Sequence, residues 1–269
     1  MSAFIHHFSF EFRTGIRNKT LLLMNYLFPL GFYLMMGFVM GGINPTFVDT
    51  MIPAMVIFAV LAATFLGIPD PLVNARENGI FRSYKINGIP ALSILVIPVL
   101  TTIVHLFFVS LIIAGSASLL FNAPGAENWL TFALTFFALA IACAGLGVLI
   151  GVISPNSRQT VLWAQLFFIP SILLSGIMFP YSLLPDIAGK IAQLLPATHA
   201  MNAFNGLSMG LVNFINPWIS IAVLISSGLL ALGLSIFLFS WDSRNTKRRG
   251  PIWLALIVFL PNIIAILLQ

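Results

Sequence analysis

Residues 129–153 read WLTFALTFFALAIACAGLGVLIGVI, an unbroken apolar run without one charged side chain. A hydrocarbon core about 30 Å thick requires about 20 apolar residues in helical form, so this run is long enough to cross a bilayer. It lacks the ten-residue alternation that marks the strands of a membrane β-barrel. Five other stretches share its character: Leu21 to Gly41, Thr50 to Pro69, Ala91 to Phe121, Val161 to Pro180 and Phe214 to Trp241. A seventh, Pro251 to Leu268, is at the short end of the range. Its Pro261-Asn262 pair weighs against a crossing, because Asn is costly in hydrocarbon and Pro interrupts the hydrogen-bond ladder. The composition agrees, with 59% hydrophobic and 7% charged residues, where a soluble domain carries about a quarter charged. The expected fold is an all-α polytopic membrane protein with six transmembrane helices and a C-terminal segment, 251–269, as a candidate seventh.

The basic residues orient these spans. Arg13, Arg17 and Lys19 precede the first; Arg76, Arg82 and Lys85 lie between the second and third. Arg158 lies between the fourth and fifth, and Arg244, Lys247, Arg248 and Arg249 follow the sixth. Those loops share one side and hold all but one of the 12 Lys and Arg residues, the exception being Lys190. The expected topology is therefore a cytoplasmic N-terminus in a multi-pass inner-membrane protein, with a basic cytoplasmic loop at 242–250. Trp129, Trp163, Trp218, Trp241 and Trp253 all fall near span ends, where indoles favour the headgroup boundary.

Two segments flank or interrupt the spanning unit of 20–241. In residues 1–19, Phe4, Ile5, Phe8, Phe12 and Ile16 recur at helical spacing with Glu11, Arg13 and Arg17 on other faces. That pattern predicts an amphipathic helix lying along the inner surface. The stretch lacks the apolar core and cleavage site of a signal peptide, so the first span reads as a retained anchor. Residues 181–213 are half apolar and broken by Pro185, Pro196, Gly189, Gly206 and Gly210, which predicts short helices re-entering the outer leaflet.

Few residues could carry chemistry. Cys143 is alone and sits between small residues, so it reads as a packing group, with neither disulfide nor zinc partner. The four histidines are scattered and the acids number seven, so no catalytic set and no metal site are expected. His105 is the only ionisable side chain deep within a span, where a hydrogen-bonded packing role is commoner than a proton relay. No Gly-x-x-x-x-Gly-Lys-Ser/Thr loop is present to cradle ATP. The net charge of +5 is placed against lipid headgroups, which excludes a nucleic-acid partner. Small residues recur four apart at Gly37 and Gly41, at Cys143, Gly147 and Gly151, and at Ser227, Ala231 and Ser235. Such spacing lets helix backbones approach closely, within the chain or across a subunit seam.

Two loops say more. Between spans two and three, residues 71–90 mix apolar Ile80, Phe81, Tyr84 and Ile86 with Arg76, Glu77, Arg82 and Lys85, punctuated by Gly79 and Gly88. That suits a short helix offering apolar and charged groups to a cytosolic partner. At the end of span five come Ser175, Gly176, Phe179 and Pro180, then Leu184-Pro185, then Leu195-Pro196 with Thr198 and His199. In both places the chain resembles the membrane subunits of type-2 ABC exporters. There an Arg-Glu-x-Gly run precedes the coupling helix, and a Ser-Gly-x-x-Phe-Pro ending of span five leads into an external re-entrant segment. The resemblance covers roughly Met1 to Trp241.

This resemblance implies ATPase coupling through Arg76, Glu77, Gly79, Ile80, Phe81, Arg82 and Tyr84. It also implies an ATP-binding subunit as partner, which would use ATP and Mg while this chain binds no cofactor, and a second permease subunit, identical or a sister chain. The chain itself is then no enzyme. A Met- and Phe-rich path suits an amphipathic substrate such as a drug, a lipid or a lipid-linked glycan. An ATP-independent secondary carrier or channel, or an assembly subunit, is the rival class. The topology has a direct check. Single cysteines replacing Ser83 and Ser182, in a Cys143→Ser background, are expected to react with an impermeant maleimide from opposite sides of the membrane. Reaction from one side would refute the spans as drawn.

Overall fold

The computed structural model describes residues 2–43, 47–242 and 250–267, with side chains from Phe8 onward. Its described residues form helices joined by turns and irregular segments, without a strand. Along the chain these are α1 (Ser2–Arg17), α2 (Lys19–Ile43), α3 (Phe47–Glu77) and α4 (Ile80–Ile86). Then follow α5 (Ala91–Phe121), α6 (Trp129–Ile153), α7 (Ser157–Leu174), α8 (Asp186–Ala192) and α9 (Pro196–Ala203). The last are α10 (Pro217–Leu238) and α11 (Ile252–Leu267). The basic residues Arg244, Lys247, Arg248 and Arg249, and the side chains of Phe4 and Ile5, lie outside the described residues.

Five of these helices, α2, α3, α5, α6 and α10, are long and apolar enough to cross a membrane. The bounds of α5 and α6 are those expected. The expected fifth span, Val161 to Pro180, is helical only over the 18 residues of α7. Asn156 draws its start back by accepting the Gln159 N–H at 2.9 Å. Its end is set by Gly176, whose φ of +91° leaves the helical region and is strained for any residue with a Cβ. The first turn of α7 is polar, which keeps it out of the set of helices that are long and apolar enough to cross. Conversely, α3 overruns its expected end at Pro69. That proline opens a fresh helical turn, where its missing N–H has no bond to lose.

The expected 251–269 segment is α11. Eight residues, Ile252–Phe259, wind as a 3₁₀-helix, and eight more, Leu260–Leu267, as an α-helix. Residues 181–208 form short helices as expected. One of them, α9, is buried at every position inside the protein.

The bundle packs around α3 and α6. Within their most apolar stretches, 94% of α3 and 83% of α6 are buried, against 28% of α2 and 44% of α10. In lipid no hydrophobic effect draws helices together, so backbone proximity and hydrogen bonds must do so. A Cβ on Gly145 would lie 2.7 Å from the Gly228 carbonyl oxygen, and one on Gly228 would lie 2.8 Å from the Ala142 nitrogen. This pair brings α6 and α10 into backbone contact. On another face of α6, Gly147 lies against the Thr64 carbonyl and Gly151 against Pro69 and Leu72 of α3. Gly147 and Gly151 therefore serve packing within the chain, while a Cβ on Gly41 would meet nothing.

Several polar side chains in the long helices are satisfied locally. Thr64, Thr101, Ser226 and Ser235 donate to carbonyls four residues back, at 2.6–3.1 Å. Between helices, Tyr33 and Ser116 share a hydrogen bond of 2.8 Å, and Tyr26 shares one of 2.7 Å with His105 Nδ1. The Phe12 ring of α1 stacks on the His105 imidazole at 4.4 Å. His105 thus holds α1 and α2 to α5. Overpacking at a tight contact costs about 1–3 kcal/mol. Gly228→Leu is accordingly expected to lower the melting temperature of the detergent-purified protein by several degrees. Gly41→Leu, with open space around it, should leave it unchanged.

Candidate coupling site

At the basic end of the bundle, α3 and α4 form a helical hairpin that turns at Asn78–Gly79. Gly79 has φ +74°, the left-handed conformation that lets the chain reverse without side-chain strain. Arg76, in the last turn of α3, is 4% exposed. Its Nη1 donates to the carbonyls of Val152 at 3.0 Å and Gly151 at 3.5 Å, and its Nη2 to that of Ser154. These carbonyls close α6, where the helix dipole is negative and the last C=O groups lack intrahelical partners. A planar guanidinium can serve several such acceptors at once. Asn74, two residues earlier, donates to Asp70 at 2.7 Å and accepts from the Ser157 hydroxyl at 3.0 Å, at the start of α7. The hairpin is thereby bolted to the ends of two other helices.

α4 is held to a third. Phe81, expected among the groups offered to a partner, is instead 4% exposed, with its ring 5.4 Å from Phe239 just beyond α10. Arg82 pairs with Asp242, the guanidinium side chain being 57% exposed. Such an open ion pair contributes about 0–1 kcal/mol. Tyr84 is half-buried and faces α1; burial raises its phenol above the ordinary value, and the Glu11 carboxylate adds to the rise. Glu11, Gly15, Phe81, Tyr84, Thr102 and His105 help to line a cavity of about 120 Å³ between α1, α3, α4 and α5. With Phe81 and Tyr84 turned inward, the outer face of the hairpin shows Glu77, Ile80, Ser83, Lys85 and Ile86. Ile80 is 42% and Ile86 80% exposed.

The second motif lies at the other end of the bundle. Phe179, Pro180 and Pro185 are exposed, and Leu184 is half-buried. Ser175 is buried and donates to the Ser171 carbonyl. A Cβ on Gly176 would press on Met201 at 3.3 Å. Leu195 and Pro196 start α9, and Thr198 donates back to the Ala192 carbonyl at 2.6 Å. The His199 Nε2 donates to the Gln193 carbonyl at 2.9 Å, which fixes the proton there, and Nδ1 then accepts from Ser220 at 3.3 Å. The motif therefore folds as a hydrogen-bonded hairpin of α8 and α9. Leu194 and Pro196 near its tip share a cleft with Leu146 and Ser227, each well inside its own helix.

Sequence reasoning missed several of these groups. Asn202 donates to the Ile215 carbonyl at 2.8 Å and accepts from the N–H groups of Phe214 and Ile215 at 3.0 and 3.2 Å. A lone amide three residues after His199, in a run of small residues, was the available signal. Asp242 and Phe239 carried none, because nothing local relates them to α4. Around Tyr181, stacked on Phe214 at 3.8 Å, a cavity of about 390 Å³ is lined by residues including Phe47, Ile177, Met201 and Asn205. Among the described residues no cluster of His, Cys, Asp and Glu could hold a metal ion.

The comparisons with known proteins point one way. The family model described as "ABC-2 type transporter" matches residues 3–209. The chain is 36% identical over 94 residues to "Nodulation protein J" of Sinorhizobium fredii, covering 34% of this chain and 36% of that protein. It is 23% identical over 211 residues to "ABC transporter G family member 20" of Dictyostelium discoideum, covering 78% of this chain and 29% of that one. With "Putative transport permease YvfS" of Bacillus subtilis it shares 22% identity over 236 residues, covering 85% and 93% of the two chains. The first two relatives are thus matched over only about a third of their own length. No solved structure matches the chain.

The Arg76 contacts make a separate prediction. Arg76→Ala strands three carbonyls, and each unsatisfied buried acceptor costs about 1–3 kcal/mol. The purified variant should melt several degrees lower, and proteolysis near Asn78 should quicken. Arg76→Lys, whose three donors converge on a single nitrogen, should recover only part of the loss.

Proposed function

Because the chain belongs to the ABC-2 type transporter family, we propose that it is the permease subunit of an ATP-driven exporter. A separate ATP-binding subunit, carrying ATP and Mg, would dock on the α3–α4 hairpin. A second permease subunit, a copy or a sister chain, would complete the pathway. The substrate is amphipathic: a drug, a lipid or a lipid-linked glycan. In this reading α1 lies on the inner surface of the cytoplasmic membrane, the N-terminus is cytoplasmic and α7 serves as the fifth crossing. The α8–α9 hairpin then re-enters from outside.

The observation that carries the proposal is the hairpin's two-sidedness. Its inner side grips α6, α7 and the end of α10 through Arg76, Asn74 and Phe81. Its outer side leaves Ile80 and Ile86 exposed beside Glu77 and Lys85. Apolar groups on such a surface supply most of the docking free energy, and the charges set the register. A displacement of the hairpin by the ATPase would then move three helix ends as nearly rigid bodies.

The test is co-purification with the ATP-binding subunit, combined with ATPase and transport assays in liposomes. Ile80→Asp with Ile86→Asp should insert normally in the membrane yet lose at least tenfold in ATPase-subunit recovery and in transport. Phe81→Ala should retain recovery better but melt lower, since loss of a buried aromatic ring costs about 3–5 kcal/mol. Full recovery and transport by the double aspartate variant would place docking elsewhere.

A further inference from the structure

Two long helices carry a π-helical turn where they touch: Leu23–Leu27 in α2 and Ala62–Leu66 in α3. Such turns are rare and gather at functional sites. Asn25 lies inside the first and is 3% exposed. A Cβ on Gly67, just past the second, would lie 3.6 Å from its Oδ1. Both residues line the cavity of about 120 Å³ that also meets α1, α4 and α5.

Polar groups face this space without a protein partner. The Asn25 amide and the Thr102 hydroxyl, the latter on a residue 8% exposed, line it, and neither is hydrogen-bonded to another described residue. Pro98 of the same wall has no N–H, so the Ile94 carbonyl beside it lacks its helical donor. Buried polar groups are costly unless something bonds to them. The charge here is of one sign: Glu11 lines the cavity, and no Lys or Arg does. Its carboxylate is close enough to Tyr84 to add to the rise that burial causes in that phenol.

The occupant these groups ask for is a cation that donates hydrogen bonds. A bare metal ion fits poorly, since it wants about six or more oxygens closing round it at about 2.0–2.6 Å. This cavity is wider than that, and Leu72, Ile94 and Pro98 make much of its wall apolar. An ammonium offers three donors from one nitrogen, and a short carbon stem behind it suits the apolar wall. The Phe81 and Tyr84 rings add faces that attract a cation.

We propose that this cavity binds a primary ammonium group, with Glu11 as counter-ion and Asn25 and Thr102 as acceptors. A soluble alkylamine and the headgroup of an aminophospholipid share that chemistry. The occupant would touch α1, α2, α3, α4 and α5 together, and so brace the α3–α4 hairpin against the bundle. This does not rest on the exporter reading, since its test concerns binding alone.

The test measures melting of the purified, delipidated full chain at fixed pH and ionic strength. Ethylammonium chloride should raise the melting temperature by several degrees, whereas tetramethylammonium chloride, equal in charge but without an N–H, should not. Nanodiscs of phosphatidylcholine with and without phosphatidylethanolamine distinguish the sources. A rise with the ethanolamine lipid assigns the site to a headgroup, and a rise with ethylammonium alone assigns it to a soluble amine. Glu11→Gln, at a half-buried position where folding should survive, and Thr102→Val should each cut the rise to less than about a third. Equal rises with the two ammonium salts, or no rise with either ethylammonium or the ethanolamine lipid, overturn the site. A rise left intact by both variants places the amine elsewhere and overturns it too.

Discussion

The architecture depends on backbone contact along α6. Lipid offers apolar side chains no advantage in meeting one another, so a central helix must come close enough to its neighbours for dispersion to accumulate over the main chain. Gly145 against Gly228 does this toward α10, and Gly147 and Gly151 do it toward α3. Everything attached to the ends of α6 inherits that rigidity. At one end Arg76 takes its last carbonyls. At the other, Glu127 N–H donates to the Ser208 carbonyl at 2.8 Å, and Thr131 donates to that of Leu207 at 2.7 Å. The α3–α4 hairpin and the turn that follows α9 are thus tied to opposite ends of one post.

A single buried guanidinium in such a place has a simple explanation. A charge taken out of water is costly unless acceptors replace the water. The C-terminus of α6 has unpaired carbonyls and a negative dipole end, so each need answers the other. The interior supplies no comparable partner for a second ion. Between α1, α2 and α5, the buried His105 imidazole is held by the Tyr26 hydroxyl and the Phe12 ring. Those contacts make it a joint among three helices.

How much of this could be read in the sequence varied with the range of the forces involved. The bounds of α5 and α6 were legible because hydropathy alone sets where lipid-exposed backbone must be helical. The end of α7 was missed: Ile177, Met178 and Phe179 are apolar enough to extend a span, but Gly176 turns the chain first. Within α4 both Ile80 and Phe81 are apolar, and in seven residues the period cannot say which faces in. Phe239, far along the chain, decides it. The partner of Asn262 was not legible either, because its acceptor, Gln193, belongs to a segment that only the tertiary fold brings beside it.

These contacts also constrain how motion could travel. The hairpin's attachments are of unequal stiffness: several charge-assisted bonds to α6, one amide–hydroxyl bond to α7, and ring packing with one open ion pair to the end of α10. A load on α4 would therefore act most directly on α6 and with most slack on α10. Yet α6 and α10 are in backbone contact at Gly145 and Gly228, so slack at the end of α10 cannot become free sliding along its length. The movement these contacts would allow is a joint tilt of α3, α6 and α10 against α2 and α7. The α8–α9 hairpin hangs from α10 by the His199–Ser220 and Asn202–Ser220 bonds, so it would be carried with that tilt. Coupling of this kind needs no ionisable relay through the membrane, which fits an interior with almost no charge.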